Sequence, residues 1–184
     1  MNKNAPTLFH MFLETCDKHK NSIAFIFKVD NKQFEVSYEK LFEDVLLLSR
    51  VFRAKGVKKG SKVMFVCNNR YEWMVTDLAL VSLGAISIPR GSDTPTQELE
   101  FIMNHSEANF LILENESLYA MHKDMIEKLK LKATFIIEAG NVHTLFDNIY
   151  SYIDLLKNRE IYNNEIDDFY ALKDELTQDN IFTL

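Results

Sequence analysis

Apolar residues recur at helical spacing at Phe9, Phe12, Leu13 and Cys16, just after Pro6-Thr7, and predict a first helix with one apolar face. The polar run "DKHKN" ends it. "SIAFIFKVDNKQFEVS" then alternates: Ile23, Phe25, Phe27 and Val29 share one parity, Phe34 and Val36 return, and Asp30-Asn31 lies between. That pattern predicts a β-hairpin with a tight turn. Ser37 is placed to cap a second helix, whose stripe is Leu41, Val45, Leu48 and Phe52 and whose stop is Gly56.

From Lys62 the rhythm changes. Four short apolar runs, "KVMFVC", "AISIP", "FLILE" and "ATFIIEA", alternate with three longer segments, "YEWMVTDLALVSL", "PTQELEFIMNHS" and "LYAMHKDMIEKL". The first of these segments is apolar nearly all round, which predicts a well-buried helix. The second shows Leu99, Ile102 and Met103 on one face. Strands alternating with helices mean βαβ units, and strands that are almost wholly apolar are those covered on both faces. The fold class is therefore α/β, with a parallel, doubly wound sheet of four strands and three helices over about residues 62–138. A helix, a hairpin and a second helix precede it. Gly84 ends one helix, Pro89 sits at a strand end, and Thr94-Pro95-Thr96-Gln97 reads as a capping box with Thr94 at the N-cap.

After Gly140 the pattern weakens. Leu145, Ile149, Ile153 and Leu156 predict one more helix. The acidic "NNEIDDFYALKDELTQ" reads as a surface helix or loop, and "NIFTL" as the start of a strand. A strand beginning at the last residues is expected of the first part of a larger domain. The chain divides into residues 1–60, 61–140 and 141–184.

Composition narrows the function. The 184 residues carry a net charge of −6, without the basic stripe that a general nucleic-acid binder needs. Hydrophobic residues make up 47%, so disorder is not expected. Cys16 and Cys67 form neither a disulfide framework nor a zinc spacing, and read as buried, reduced thiols. No signal peptide opens the chain, and no run approaches the roughly 20 apolar residues of a membrane span. A cytoplasmic protein is expected, with at most transient contact at a membrane surface, and a homodimer is an allowed assembly.

In a doubly wound sheet, ligands bind beyond the carboxyl ends of the strands. Those ends carry Asn68-Asn69-Arg70, Arg90-Gly91-Ser92-Asp93, Glu114-Asn115-Glu116 and Glu138-Ala139-Gly140. None matches a dinucleotide or P-loop fingerprint, and the whole chain has 5 glycines, too few for a backbone phosphate cradle. His10, His19, His105, His122 and His143 include no pair at the i, i+4 spacing of a helical metal site. His105 fits a helix C-terminus, where it meets the dipole favourably. Asp167-Asp168 are adjacent rather than opposed across a cleft, and read as a solvated face. Trp73 reads as core. Arg70 and Arg90 are the candidate site residues. Either could meet an anion. Arg70 could equally pair with Glu72 or a neighbouring loop, and Arg90 could contact another loop or further chain. No catalytic and no metal-binding residue is assigned.

"NNRYEWMVTDLALVSLGAISIPRGSDTPTQELEFIMNHSEANFLIL" resembles the AMP-forming acyl-CoA synthetases, and within them the long-chain fatty acid–CoA ligases. The ordered set carries the resemblance: Asn69-Arg70, Glu72-Trp73, Asp77-Leu78-Ala79, Gly84-Ala85, Glu98-Leu99 and Asn104 to Ala108. The resemblance runs over about residues 7–184. It implies the N-terminal portion of a large adenylation domain. The parent would join a fatty acid to AMP, using ATP and Mg, and then transfer the acyl group to CoA. The phosphate loop, adenine motif, metal-binding glutamate and lid of that family would follow Leu184, so the 184 residues alone are expected to be inactive. Some relatives place arginines for CoA after the strand matching "FLILE"; here His122 and Lys123 stand nearby instead. Two alternatives remain: another adenylate-forming ligase, for an acyl-AMP, short-chain, aryl or amino acid, or a non-catalytic α/β interaction module.

Overall fold

The structure, a computed structural model, describes residues 6–139, 148–157, 166–177 and 179–184. Helix α1 (Leu8–Lys18) starts at Thr7, whose hydroxyl accepts from the His10 N–H while the His10 ring reaches back to the Thr7 N–H. Strands β1 (Ile23–Val29) and β2 (Lys32–Ser37) form the antiparallel hairpin. Asp30 and Asn31 take φ values of 48° and 63°, the left-handed pair that a two-residue turn of matching twist requires. A lone hairpin is marginal in water. This one is held by Phe25 and Phe27, whose rings lie 5.7 and 5.4 Å from Tyr71. Ser37 caps α2 (Tyr38–Ala54) by accepting from the Lys40 N–H.

Among the described residues the main sheet is parallel and has five strands: β3 (Lys62–Val66), β4 (Ile86–Arg90), β5 (Phe110–Asn115), β6 (Ala133–Glu138) and β7 (Ile149–Ser151), in the order β4-β3-β5-β6-β7. Its connections are α3 (Tyr71–Ser82), α4 (Thr96–Ser106) and α5 (Glu116–Leu129). Because side chains alternate along a strand, the sheet feeds two cores. Val63, Phe65, Phe110, Ile112, Phe135 and Ile137 pack with α1, α2 and α3. Met64, Val66, Leu111, Leu113 and Ile136 pack with α4 and α5. Helix α3 is buried as its all-round apolarity predicts, and half-buried Trp73 lies parallel to Phe65 at 6.0 Å.

Four expectations are corrected. The sheet has a fifth strand because Ile149–Ser151 pair with Thr134–Ile136, and only then does helix α6 (Tyr152–Lys157) begin. The predicted helix from Leu145 to Leu156 is thus broken: hydrogen bonds offered by the free edge of β6 outweigh a helical stripe. Leu145 itself lies outside the described residues, as do Gly140, His143 and the Asp167-Asp168 side chains. The acidic segment does contain a helix, α7 (Ile166–Glu175), but it is not wholly a surface one, because α7 buries Phe169 against Phe9 and Phe42. The Thr94 capping box does not form: α4 begins at Thr96 behind Pro95, and the Thr94 hydroxyl donates instead to the Gly91 carbonyl, closing the turn. Finally, among the described residues the end of the chain forms an isolated parallel bridge, Thr183 to Ser87, in place of a strand.

Phe169 is 2% exposed and touches the core from the least patterned part of the sequence. Phe169→Ala is expected to lower unfolding free energy by about 3–4 kcal/mol. A denaturant titration with unchanged slope and a lower midpoint would show it; a loss under about 1 kcal/mol would mean α7 is not docked in solution.

Candidate functional site

The crevice that a doubly wound sheet offers lies where successive connections leave to opposite faces. Here α3 follows β3 on one face and α4 follows β4 on the other, so the crevice opens at the carboxyl ends of β3, β4 and β5. Its rim is Cys67 to Arg70, Arg90 to Asp93, and Glu114 with Asn115.

Glu114 fills this crevice. Its Oε2 accepts from the Asn68 N–H at 2.6 Å and from the Ser92 hydroxyl at 2.7 Å, so one carboxylate ties the ends of β3, β4 and β5 together. Burial by itself would raise its pKa. The Asn68 N–H, the Ser92 hydroxyl and the charge of Arg70 outweigh burial and hold the carboxyl below its usual range. Beside it the Cys67 thiol is pushed up to about 12, first by burial and then by the Glu114 charge, so it stays protonated.

Arg70 is a quarter exposed and spans two carboxylates: its Nε lies 2.7 Å from Glu72 and its Nη1 2.7 Å from Glu138. Hydrogen bonding to Glu72, against the cost of burial, raises its pKa and keeps it charged. Arg90 is half-buried and donates from Nη1 to the Pro89 carbonyl at 2.6 Å. The structure therefore brings Arg70 into the rim network and leaves Arg90 folded back on the edge of β4. Glu114 and Glu138 stand at the strand ends in the sequence but are not among its candidate residues, Arg70 and Arg90. Their signal was present: "FLILE" and "ATFIIE" both end an apolar run on a carboxylate.

Chemically this rim is closed. The convergent donors are taken by Glu114, the charge of Arg70 is met by two carboxylates, and the resident negative charge would repel a phosphate. The described residues do not fit a nucleotide here. Among them there is also no group of three or more His, Cys, Asp or Glu that could hold a metal ion. No helix among them is long and apolar enough to cross a membrane. His122 is fully buried between α5 and α4, with Nδ1 2.8 Å from the Thr96 hydroxyl, whereas Lys123 lies outside and pairs with Glu127 at 3.8 Å. Away from this rim, a cavity of about 350 Å³ is lined by Leu8, Phe9, Val81, Gly84, Leu176 and Phe182.

Fold and rim together define a doubly wound α/β unit whose strand-end crevice is occupied by the Glu114 side chain. The model of the family described as AMP-binding enzyme matches residues 12–161, and the chain belongs to that family. Its fold is that of the N-terminal subdomain of adenylate-forming ligases. Three relatives show the breadth of the family. The long-chain-fatty-acid–[acyl-carrier-protein] ligase AEE15 of Arabidopsis thaliana is 25% identical over 105 residues, which are 57% of this chain and 14% of the relative. The long-chain-fatty-acid–CoA ligase ACSBG2 of Xenopus laevis is 18% identical over 88% of this chain and 22% of its own length. Gramicidin S synthase 1 of Brevibacillus brevis is 23% identical over 74% of this chain and 12% of its own. Among solved structures, coronafacic acid ligase from Pectobacterium brasiliense superposes with a TM-score of 0.72 at 18% identity, over 85% of this chain and 30% of that one. The long-chain-fatty-acid-CoA ligase FadD1 from Archaeoglobus fulgidus gives 0.70 at 23% identity, over 85% and 31%. The chain thus spans less than a third of the length of these proteins.

Two consequences of the geometry can be measured. Glu114→Ala is expected to cost about 1–2 kcal/mol near neutral pH, since it frees two donors from a charged acceptor that is itself partly exposed. Because the folded pKa of Glu114 is depressed, that contribution is present above the unfolded value of about 4.3 and fades as pH falls through the folded one. A wild-type-minus-mutant stability difference that does not shrink in acid would contradict this. His122 runs the other way in cause. Burial lowers its pKa, so folding holds it neutral, and stability drops as pH falls below the unfolded value of about 6.5. His122→Gln should flatten the melting curve between pH 7.5 and pH 5.5; an unchanged acid slope would exclude His122 as its source.

Proposed function

We propose that this chain is the N-terminal portion of an AMP-forming fatty acid–CoA ligase. In the parent, a fatty acid carboxylate oxygen attacks the α-phosphate of Mg-ATP, giving acyl-AMP and releasing pyrophosphate. The CoA thiol then attacks the acyl carbon and expels AMP. The observation that carries this reading is the family match over residues 12–161, joined to a rim that is closed to nucleotide. A framework with no open phosphate cradle suits the first part of a larger adenylating fold, with the phosphate loop supplied by other segments. Likeness to fatty acid ligases from a frog and an archaeon supports the long-chain branch. The same reading places the parent in the cytoplasm, touching membranes only peripherally to collect its acid.

A second reading stays within the family: activation of another acid, or transfer to a carrier protein rather than CoA. The likeness to gramicidin S synthase 1, coronafacic acid ligase and the acyl-carrier-protein ligase favours it.

The test is a substrate panel on the full-length parent with ATP and Mg. Pyrophosphate release with palmitate or oleate, followed by acyl-CoA formation when CoA is added, is the expected result. Release with an amino acid or a short or aryl acid, and none with long-chain acids, would transfer the assignment to the second reading. Residues 1–184 alone should release no pyrophosphate above the uncatalysed background.

A further inference from the structure

The main sheet carries opposite charge at its two ends. Parallel strands all begin at one end, and here that end is basic. The Lys62 carbonyl accepts from the Asn109 N–H at 3.4 Å, and the Asn109 carbonyl accepts from the Lys132 N–H at 2.8 Å. Lys62, Asn109 and Lys132 thus form a row across the starts of β3, β5 and β6, roughly 10 Å from first to last. Lys58 lies in the turn into β3, where its N–H donates to the Ser61 hydroxyl at 3.0 Å. Lys130 follows α5 and leads into β6. Lys58, Lys130 and Lys132 are exposed, and among the described residues none of them is in an ion pair with a carboxylate. Of the acids near this end, Glu107 pairs with Lys62 at 3.0 Å, Glu100 pairs with Lys128, and Glu175 lies at the helix end that Lys59 contacts.

Helix ends account for part of this charge. Lys55 and Lys130 occupy the C-caps of α2 and α5, where a cation meets the dipole favourably. Lys58 and Lys132 stand beyond the caps. The opposite end of the sheet is the rim, where Glu72, Asp93, Glu114 and Glu138 outnumber Arg70 and Arg90.

We infer that the amino end of the sheet, with Lys58, Lys62, Lys130 and Lys132, docks on the surface of an anionic lipid bilayer and holds the acidic rim away from it. The lysines sit on separate turns and spread sideways, whereas a small anion needs cations that converge on it. Single-stranded nucleic acid needs exposed rings on which bases stack, and the ring beside Lys132, Phe110, is buried. A charged bilayer asks only that the cations come within a Debye length, about 8 Å, of its surface. The same field repels the rim, so the orientation is fixed. Docking deepens the peripheral membrane contact proposed above, and rests on that reading only in the choice of a membrane over a soluble polyanion.

The experiment is cosedimentation of this chain with vesicles, without ATP or fatty acid, so its failure leaves the ligase reading untouched. With vesicles of equal parts phosphatidylcholine and phosphatidylserine at low salt, four lysines predict half-binding at about 1 mM accessible anionic lipid. Added salt should release the protein, and phosphatidylcholine alone should not bind it. Lys58→Gln/Lys130→Gln/Lys132→Gln should weaken binding by roughly tenfold or more, and Lys58→Gln or Lys132→Gln singly by about fivefold, which serves if the triple variant does not fold. The same charge loss at the other end of the sheet, Lys20→Gln/Lys28→Gln/Lys32→Gln, should leave binding unchanged. Trp73, the single tryptophan, opens α3 beside the rim, and brominated acyl chains should not quench it in the bound state. Absence of binding, equal binding to phosphatidylcholine, equal loss in both triple variants or quenching of Trp73 would each overturn the inference. Retention on heparin without vesicle binding would give this face to a soluble polyanion and overturn it as well.

Discussion

Burial of the central strands on both faces is the constraint on which the rest of the structure depends. Strand β3 pairs with β4 on one side and β5 on the other, and Val63 to Val66 are all fully buried. Every polar group of that backbone must then be met within the sheet, and every side chain must meet a helix above or below it. Two helix layers are thereby required, and the crossing from one layer to the other creates the crevice at the strand ends. The same crossing decides which residues of distant segments can meet there.

What occupies the crevice distinguishes this unit. Parallel strand ends commonly present backbone donors to a ligand. Here Glu114 takes the Asn68 N–H and the Ser92 hydroxyl, and Glu72 with Glu138 answers Arg70. The rim becomes an internal ionic clasp over β3, β4, β5 and β6. The chain belongs to a family whose compared relatives are several times longer, and it matches 14% of the length of one of them.

The periphery is built by docking onto that frame. Phe169 brings α7 under α1 and α2, and Lys59 donates to the Glu175 carbonyl at 2.5 Å at the end of the same helix. Gly84, at φ 63°, lets the turn before β4 pass close to Leu176: a Cβ there would lie 2.7 Å from its Cδ2. The tail then reaches the outer edge of β4 at Ser87. The stretch "AISIPRGSDTP" is thus an edge followed by a turn, in which the Thr94 hydroxyl and the Arg90 guanidinium donate to backbone carbonyls and the Ser92 hydroxyl donates to the Glu114 carboxylate.

The hairpin, the helices through α5, and the strands β3 to β6 were legible in the sequence, because each is decided by local period, turn chemistry and burial of short apolar runs. Asp30-Asn31 and Ser37 act as their residue types dictate. The family was legible too, from an ordered set of residues spread along most of the chain. Other features answered only to tertiary structure. Ile149–Ser151 carry a helical stripe, yet become β7 because β6 offers an unpaired edge. Phe169 looks solvated in an acidic segment and is core only because Phe9 and Phe42 lie opposite. Thr94 has the spacing of a cap, yet its hydroxyl meets the Gly91 carbonyl first. The partners of Glu114, Arg70 and Arg90 are likewise set by which strand ends the sheet order brings together. Local pattern states what a segment can bury or bond; which alternative forms depends on donors, acceptors and apolar surface supplied by residues far away in the chain.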